Sequence, residues 1–188
     1  LPEGDHDVKA FSFARSWLTS SLSGKGTGLG VQQQQSLLPT TVLDLGKHEK
    51  PRGLLTRFRS RPDPLTAPIR LISPEVGSTG EYLTLSHRWG ESQGYTLNSK
   101  TSKYFHVNIP FVSLPKTFQD AVIVTRELGY QYFWIDALCI LQDDLQEWLR
   151  EAPTMSSINS KSTCTIAAHG AKDDSEGFLT AVLETFPH

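Results

Sequence analysis

The chain has 188 residues, 38% of them hydrophobic, a formal net charge of −2 and two cysteines. These figures fit one domain with its own core, and no apolar run approaches the ~20 residues that cross a bilayer, so no membrane-spanning segment is expected. Near-neutral charge argues against nucleic-acid binding through charge alone. The first residues, LPEGDHDVKA, lack a charged-then-apolar signal pattern, so a cytoplasmic protein is expected. Cys139 and Cys164 sit in apolar, strand-like surroundings and read as buried free thiols of a reducing compartment, with a disulfide as the alternative. The six histidines are scattered without metal-ligand spacing, so no metal site is expected.

Residues 11–22 place Phe11, Ala14, Trp17, Leu18 and Leu22 on one helical stripe. Four glycines between 24 and 30 and the glutamines 32–35 then predict a flexible loop. Residues 1–38 therefore read as an N-terminal helix and loop, and residues 39–188 as an α/β domain. TTVLDL (40–45) is a strand closed by Gly46. Residues 47–68 are basic and proline-rich, a solvated loop or a phosphate-binding patch. Arg70 to Ile72 predicts a short strand. EYLTLS (81–86) alternates Tyr82, Thr84 and Ser86 against Leu83 and Leu85, then meets His87-Arg88-Trp89-Gly90. Residues 91–112 read as a long polar connection.

Thr117 and Asp120 have capping-box spacing behind Pro115, and Gly129 suits the left-handed C′ position of the same helix. YFWI (132–135) is apolar at consecutive positions, as in a strand covered on both faces. Asp144 and Glu147 cap a further helix that Pro153 ends or kinks, and TCTIAA (163–168) is a last strand. This order predicts an α/β fold with a largely parallel central sheet flanked by helices. Ligands of such sheets bind outside the carboxyl ends of the strands. That rule selects Ser86 to Gly90 and Asp136 to Cys139.

The segments YLTLSHRWG (82–90), LPKTFQDAVIVTRELGYQYFWIDALCILQDD (114–144), EWLRE (147–151) and TCTIAA (163–168) resemble the fungal heterokaryon-incompatibility (HET) domain. ARSWL (14–18) with LPTTVLDLG (38–46) is a weaker upstream match. The chain departs from the family at His87-Arg88, where Tyr-Cys is frequent, and beyond Glu151, where Pro153 intervenes. The resemblance implies a trigger of programmed cell death after non-self fusion, a form of fungal innate immunity. HET domains are also similar to Toll/interleukin-receptor (TIR) domains, which implies a TIR-like (flavodoxin-like) architecture. It further implies NAD(P)+ nucleosidase activity, with the dinucleotide as substrate and no separate cofactor. Assembly into a homo-oligomer on activation, and partner proteins upstream in death signalling, follow from the same likeness. A non-enzymatic, self-associating signalling module is the alternative.

On that resemblance Glu151 is the catalytic carboxylate, and Ser86, Arg88, Asp136, Gln142 and Trp148 shape the substrate cleft. A carboxylate beside the ribose stabilises oxocarbenium character as nicotinamide leaves. The bland reading of Glu151 is an exposed helix glutamate paired with Arg150. Trp148 lies three positions earlier, on the same helix face, as core or as an aromatic wall. Asp136 caps the following turn, pairs with Arg88 or meets a ligand. Gln142 orients Asp136 or the substrate. Arg88 suits a pyrophosphate, or an ion pair with Asp136 or Glu91. Ser86 bonds a ligand or caps its strand. Trp89 reads as a packed ring. Cys139 with His87 as base is a possible nucleophile pair, against burial between Leu138 and Ile140.

Overall fold

The computed structural model describes residues 4–22, 36–47, 67–89, 95–169 and 172–179. The expected loops at 23–35 and 48–66 lie outside the described residues. Helix α1 (Gly4–Leu22) packs on the later helix α3 (Lys116–Leu128), and the Arg15 guanidinium donates to the Glu127 carbonyl. Leu18 enters the core while Ala14 and Leu22 pack against it. Trp17, expected on the same stripe, is one position off the 14-18-22 spacing and is 59% exposed.

Among the described residues a small sheet and a main sheet follow. Strands β1 (Ser36–Leu37) and β4 (Thr79–Gly80) pair antiparallel. The main sheet has five strands in the order β3-β2-β6-β5-β7: β2 is Val42–Asp44, β3 Arg70–Ile72, β5 Tyr82–Ser86, β6 Tyr132–Trp134 and β7 Cys164–Ala167. Strand β5 is parallel to both β6 and β7, but β2 is antiparallel to β3 and to β6. The sheet is therefore mixed, which corrects the expectation of a largely parallel one. Parallel pairing needs a crossover of a dozen or more residues, usually a helix. The β5–β6 and β6–β7 connections carry such helices.

Tyr82, Leu83, Thr84 and Leu85 are all buried, so β5 is a central strand covered on both faces rather than the half-exposed one its alternation predicts. Thr84 is tolerated there because its hydroxyl bonds the Thr165 hydroxyl on β7 at 2.8 Å. The connection before α3 is also more ordered than expected. It holds α2 (Ser102–Val107) and a 3-10 turn at Phe111–Ser113, and it buries Leu97, Phe105 and Ile109. These three apolar residues give an otherwise polar stretch an inner face.

Helix α3 starts after Pro115, not at a side-chain cap. Thr117 and Asp120 lie inside it, buried, and face the segment 172–179 instead of forming a capping box. Gly129 closes α3 in the left-handed conformation (φ 86°), as its place after Leu128 predicts. After β6 come α4 (Asp136–Cys139), α5 (Leu145–Glu151), a 3-10 turn at Ala152–Thr154 and α6 (Met155–Lys161). The Asp144 carboxylate caps α5 by accepting from Gln146 N and Glu147 N at 2.8 and 3.1 Å. Pro153 sits in the 3-10 turn that separates α5 from α6.

Candidate functional site at the carboxyl edge of the parallel strands

Chain order runs β5, β6, β7, but sheet order runs β6-β5-β7. The chain thus reverses across the sheet around β5, the arrangement that opens a crevice at carboxyl ends in α/β folds. Each of the three parallel strands delivers one polar residue beyond that edge: His87 after β5, Asp136 after β6 and Asp174 after β7.

These three side chains meet. The His87 side chain is only 2% exposed, with Nδ1 3.8 Å from Asp136 Oδ1 and Nε2 3.4 Å from Asp174 Oδ1. Its ring stands edge-on to Phe118 (centroids 5.1 Å apart) and stacks on Trp89 (5.8 Å, 28°). Among the described residues, His87 Nε2 and Asp174 Oδ1 are buried without a hydrogen bond. Burial raises the Asp174 carboxyl above its ordinary pKa; His87 opposes the shift, and Asp173 and Asp136 add to it. Buried polar atoms left unpaired cost free energy, and in native proteins they concentrate where chemistry or binding occurs.

Asp136 accepts from Ala137 N at 2.8 Å and from the Trp89 indole N–H at 3.1 Å. It starts α4 and projects to the edge because Ile135 ahead of it is still extended. Asp136 also borders a cleft of about 220 Å³ lined by Trp89, Asp136, Ile140, Gln142, Trp148 and Met155. The Gln142 amide N–H groups donate to the carbonyls of Asp136 (3.1 Å) and Ile140 (2.9 Å), fixing the turn that shapes one wall. Trp148 comes from α5 and Met155 from α6; seven residues apart along a helical path, they share a face, and both line the cleft.

Of the residues expected from sequence, the structure brings Asp136, Gln142 and Trp148 together in this cleft. Ser86 and Arg88 stand exposed at the same strand end, outside the lining, and Asp136 pairs with His87 and Trp89 rather than with Arg88. Alternation along an extended chain explains the split: residues 86 and 88 point one way and 87 the other. Glu151 is also outside the lining. It lies buried at the end of α5, three residues past Trp148, with Oε1 3.5 Å from Arg150 Nε.

Sequence reasoning weighed His87 only as a base for Cys139 and Trp89 only as a packed ring, and it missed Met155 and Asp174. The strand-end rule that selected Ser86 and Arg88 covers His87 and Trp89 equally. Asp174 sits in a segment without periodicity and carried no signal. Cys139 is buried and its thiol is pushed up to about 12 by that burial, so no thiolate nucleophile stands beside His87. Among the described residues, no group of three or more His, Cys, Asp or Glu is arranged to hold a metal ion, and no helix is long and apolar enough to cross a membrane.

No curated protein and no solved structure gives a significant match to the chain. Residues 82–185 match the family described as Heterokaryon incompatibility protein (HET). The match begins at β5 and runs through α3, the cleft and the Asp174 segment, so it takes in all three parallel strands and every residue of the site. With more than half its length matched, the chain belongs to the HET family.

Proposed function

We propose that this HET domain triggers cell death in fungal non-self recognition by acting in the cytoplasm as a TIR-like NAD(P)+ nucleosidase. The observation that carries the reading is the cleft at the carboxyl edge, where two tryptophans, a carboxylate and an amide converge. Substrate sites of α/β domains lie at such edges and combine apolar walls with a few polar groups. In the reaction the C1′–N1 bond breaks and its electron pair goes to nicotinamide, which leaves neutral. Water then adds to C1′ and gives up a proton. Glu151 stabilises the positive charge that develops on the ribose. Ser86 and Arg88 bind the exposed remainder of the dinucleotide, the guanidinium meeting the pyrophosphate. Assembly into a homo-oligomer brings Glu151 and the cleft into working register.

The test is nicotinamide release from NAD+ and NADP+ by the purified chain at high concentration, with oligomer formation checked in parallel. Glu151→Gln is expected to lower release by about 100-fold or more. Equal release from both forms removes Glu151 from its role, and no release by an oligomeric wild type ends the enzymatic reading.

One observation favours a second reading, a self-associating module that signals without turnover. Leu145, Trp148 and Leu149 on α5 are 67%, 44% and 53% exposed. Cell death that persists with Glu151→Gln at unchanged NAD levels selects this reading over the first.

A further inference from the structure

We infer that the space between Trp89 and Trp148 is a cage for a planar organic cation, which in a dinucleotide is the oxidised, positively charged nicotinamide ring. The inference rests on the nucleosidase reading for its natural ligand, but the cage itself follows from the lining. Two indoles, Ile140 and Met155 form the walls, and among the described residues lining the cleft Asp136 is the sole ionisable one. A cation over an indole face is attracted by the ring quadrupole, more strongly where water is excluded.

The orientation of Trp89 fits this use. Its N–H edge is bonded to Asp136 at 3.1 Å, and one of its faces stacks on His87, yet the residue is 48% exposed. The edge and one face are thus engaged, and about half of the residue remains exposed. Charge favours a cation as well. Behind the cleft stand His87, Asp136, Asp174 and, beside Asp174, Asp173. With both carboxylates ionised, even a protonated His87 leaves the group of His87, Asp136 and Asp174 net negative. Size sets a limit: ligand pockets that enclose whole drug-sized molecules run to about 300–1,000 Å³, whereas this cleft is about 220 Å³. It suits one ring-sized group, not an entire dinucleotide.

The cage has a kinetic consequence. As the C1′–N1 bond breaks, positive charge leaves the nicotinamide ring for the ribose. Interactions with the charged ring are therefore stronger in the ground state than in the transition state. The cage selects oxidised over reduced dinucleotide and lets the neutral product go; it does not speed the bond cleavage.

Ligand-observed NMR titrations with 1-methylnicotinamide (methylated on the ring nitrogen, hence a cation) and nicotinamide (the same ring, neutral) test the cage without turnover. The 188-residue chain is expected to bind the cation at least about tenfold more tightly, the size of one good cation–π contact. Trp148→Leu and Asp136→Asn should each weaken cation binding by about tenfold, and by more than they weaken nicotinamide binding. If Asp136→Asn does not fold, the half-exposed Trp148 still decides. Equal binding of the two probes, binding of neither, or an unchanged cation affinity in Trp148→Leu overturns the cage. The two proposals fail separately. A chain that binds the cation but releases no nicotinamide from NAD+ keeps the cage and loses the nucleosidase. A chain that cleaves NAD+ but treats both probes alike keeps the nucleosidase and loses the cage.

Discussion

Two buried acidic side chains, Asp120 and Asp174, both meet the segment 172–179, and they are treated in opposite ways. Asp120 is fully buried and fully paired: Oδ1 meets the Lys116 ammonium at 2.6 Å, and Oδ2 accepts from Phe178 N and Leu179 N at 2.9 and 3.1 Å. Thr117 completes the clamp, its hydroxyl donating to the Glu176 carbonyl at 2.5 Å. Asp174, held by the same clamp through its carbonyl bond to Thr117 N at 3.1 Å, presents an unpaired oxygen to an unpaired nitrogen of His87. The lesson lies in the division of labour. A satisfied carboxylate fastens the chain, and an unsatisfied one is carried to the edge where β5, β6 and β7 end. The clamp on α3 therefore helps set the geometry of the site, which α3 also meets through the edge contact of Phe118.

The contrast breaks most forcefully at Asp120. Asp120→Ala leaves two buried N–H groups and one ammonium without their acceptor. Loss of charge-assisted hydrogen bonds in a buried setting predicts destabilisation of about 3 kcal/mol, read from the urea midpoint. A loss below about 1 kcal/mol would show that the clamp is not structural. Gly177→Ala probes the same clamp from the other side. A Cβ at position 177 runs into Asp120 Oδ2 and comes within 2.9 Å of the Lys116 side chain, so overpacking of about 1–3 kcal/mol is expected. Urea unfolding of this variant alone and together with Asp120→Ala should show non-additive losses, because both changes act on one contact. Additive losses would separate the glycine from the clamp.

What could be read in the sequence follows from the range of the interactions. The strands β2, β3, β5, β6 and β7, the Gly129 cap and the Asp144 cap depend on local periodicity and turn chemistry, and they are present near the expected positions. The direction of β2 is not local. It depends on which strand it meets, and the meeting with β6 is antiparallel. The pair Thr117 and Asp120 shows the same limit. Spacing alone suggested a capping box, but apart from Lys116 their partners lie more than 50 residues away, at Asp173 to Leu179. In the candidate site, Asp136, Gln142 and Trp148 come from one continuous block and were legible together. His87 and Asp174 become a pair only once β5 and β7 lie side by side.

The smallest effect, and the sharpest on the comparison, belongs to Asp174→Asn. The Asp174 carboxyl is raised above its ordinary value in the fold, chiefly by burial. Between the unfolded value near 3.8 and the raised folded value, the native state holds more protons than the unfolded chain. Stability contributed by this group therefore falls as pH rises through that window and is lowest above it. Asparagine keeps the shape and removes the charge. The variant is expected to gain on wild type as pH rises from 4 to 7, by a Tm difference on the order of 2 °C. The comparable change at Asp120, where the charge is fully paired, costs stability. If Asp174→Asn instead loses stability relative to wild type as pH rises, Asp174 is a structural partner of a charged His87. The distinction between the fastening carboxylate and the site carboxylate then disappears.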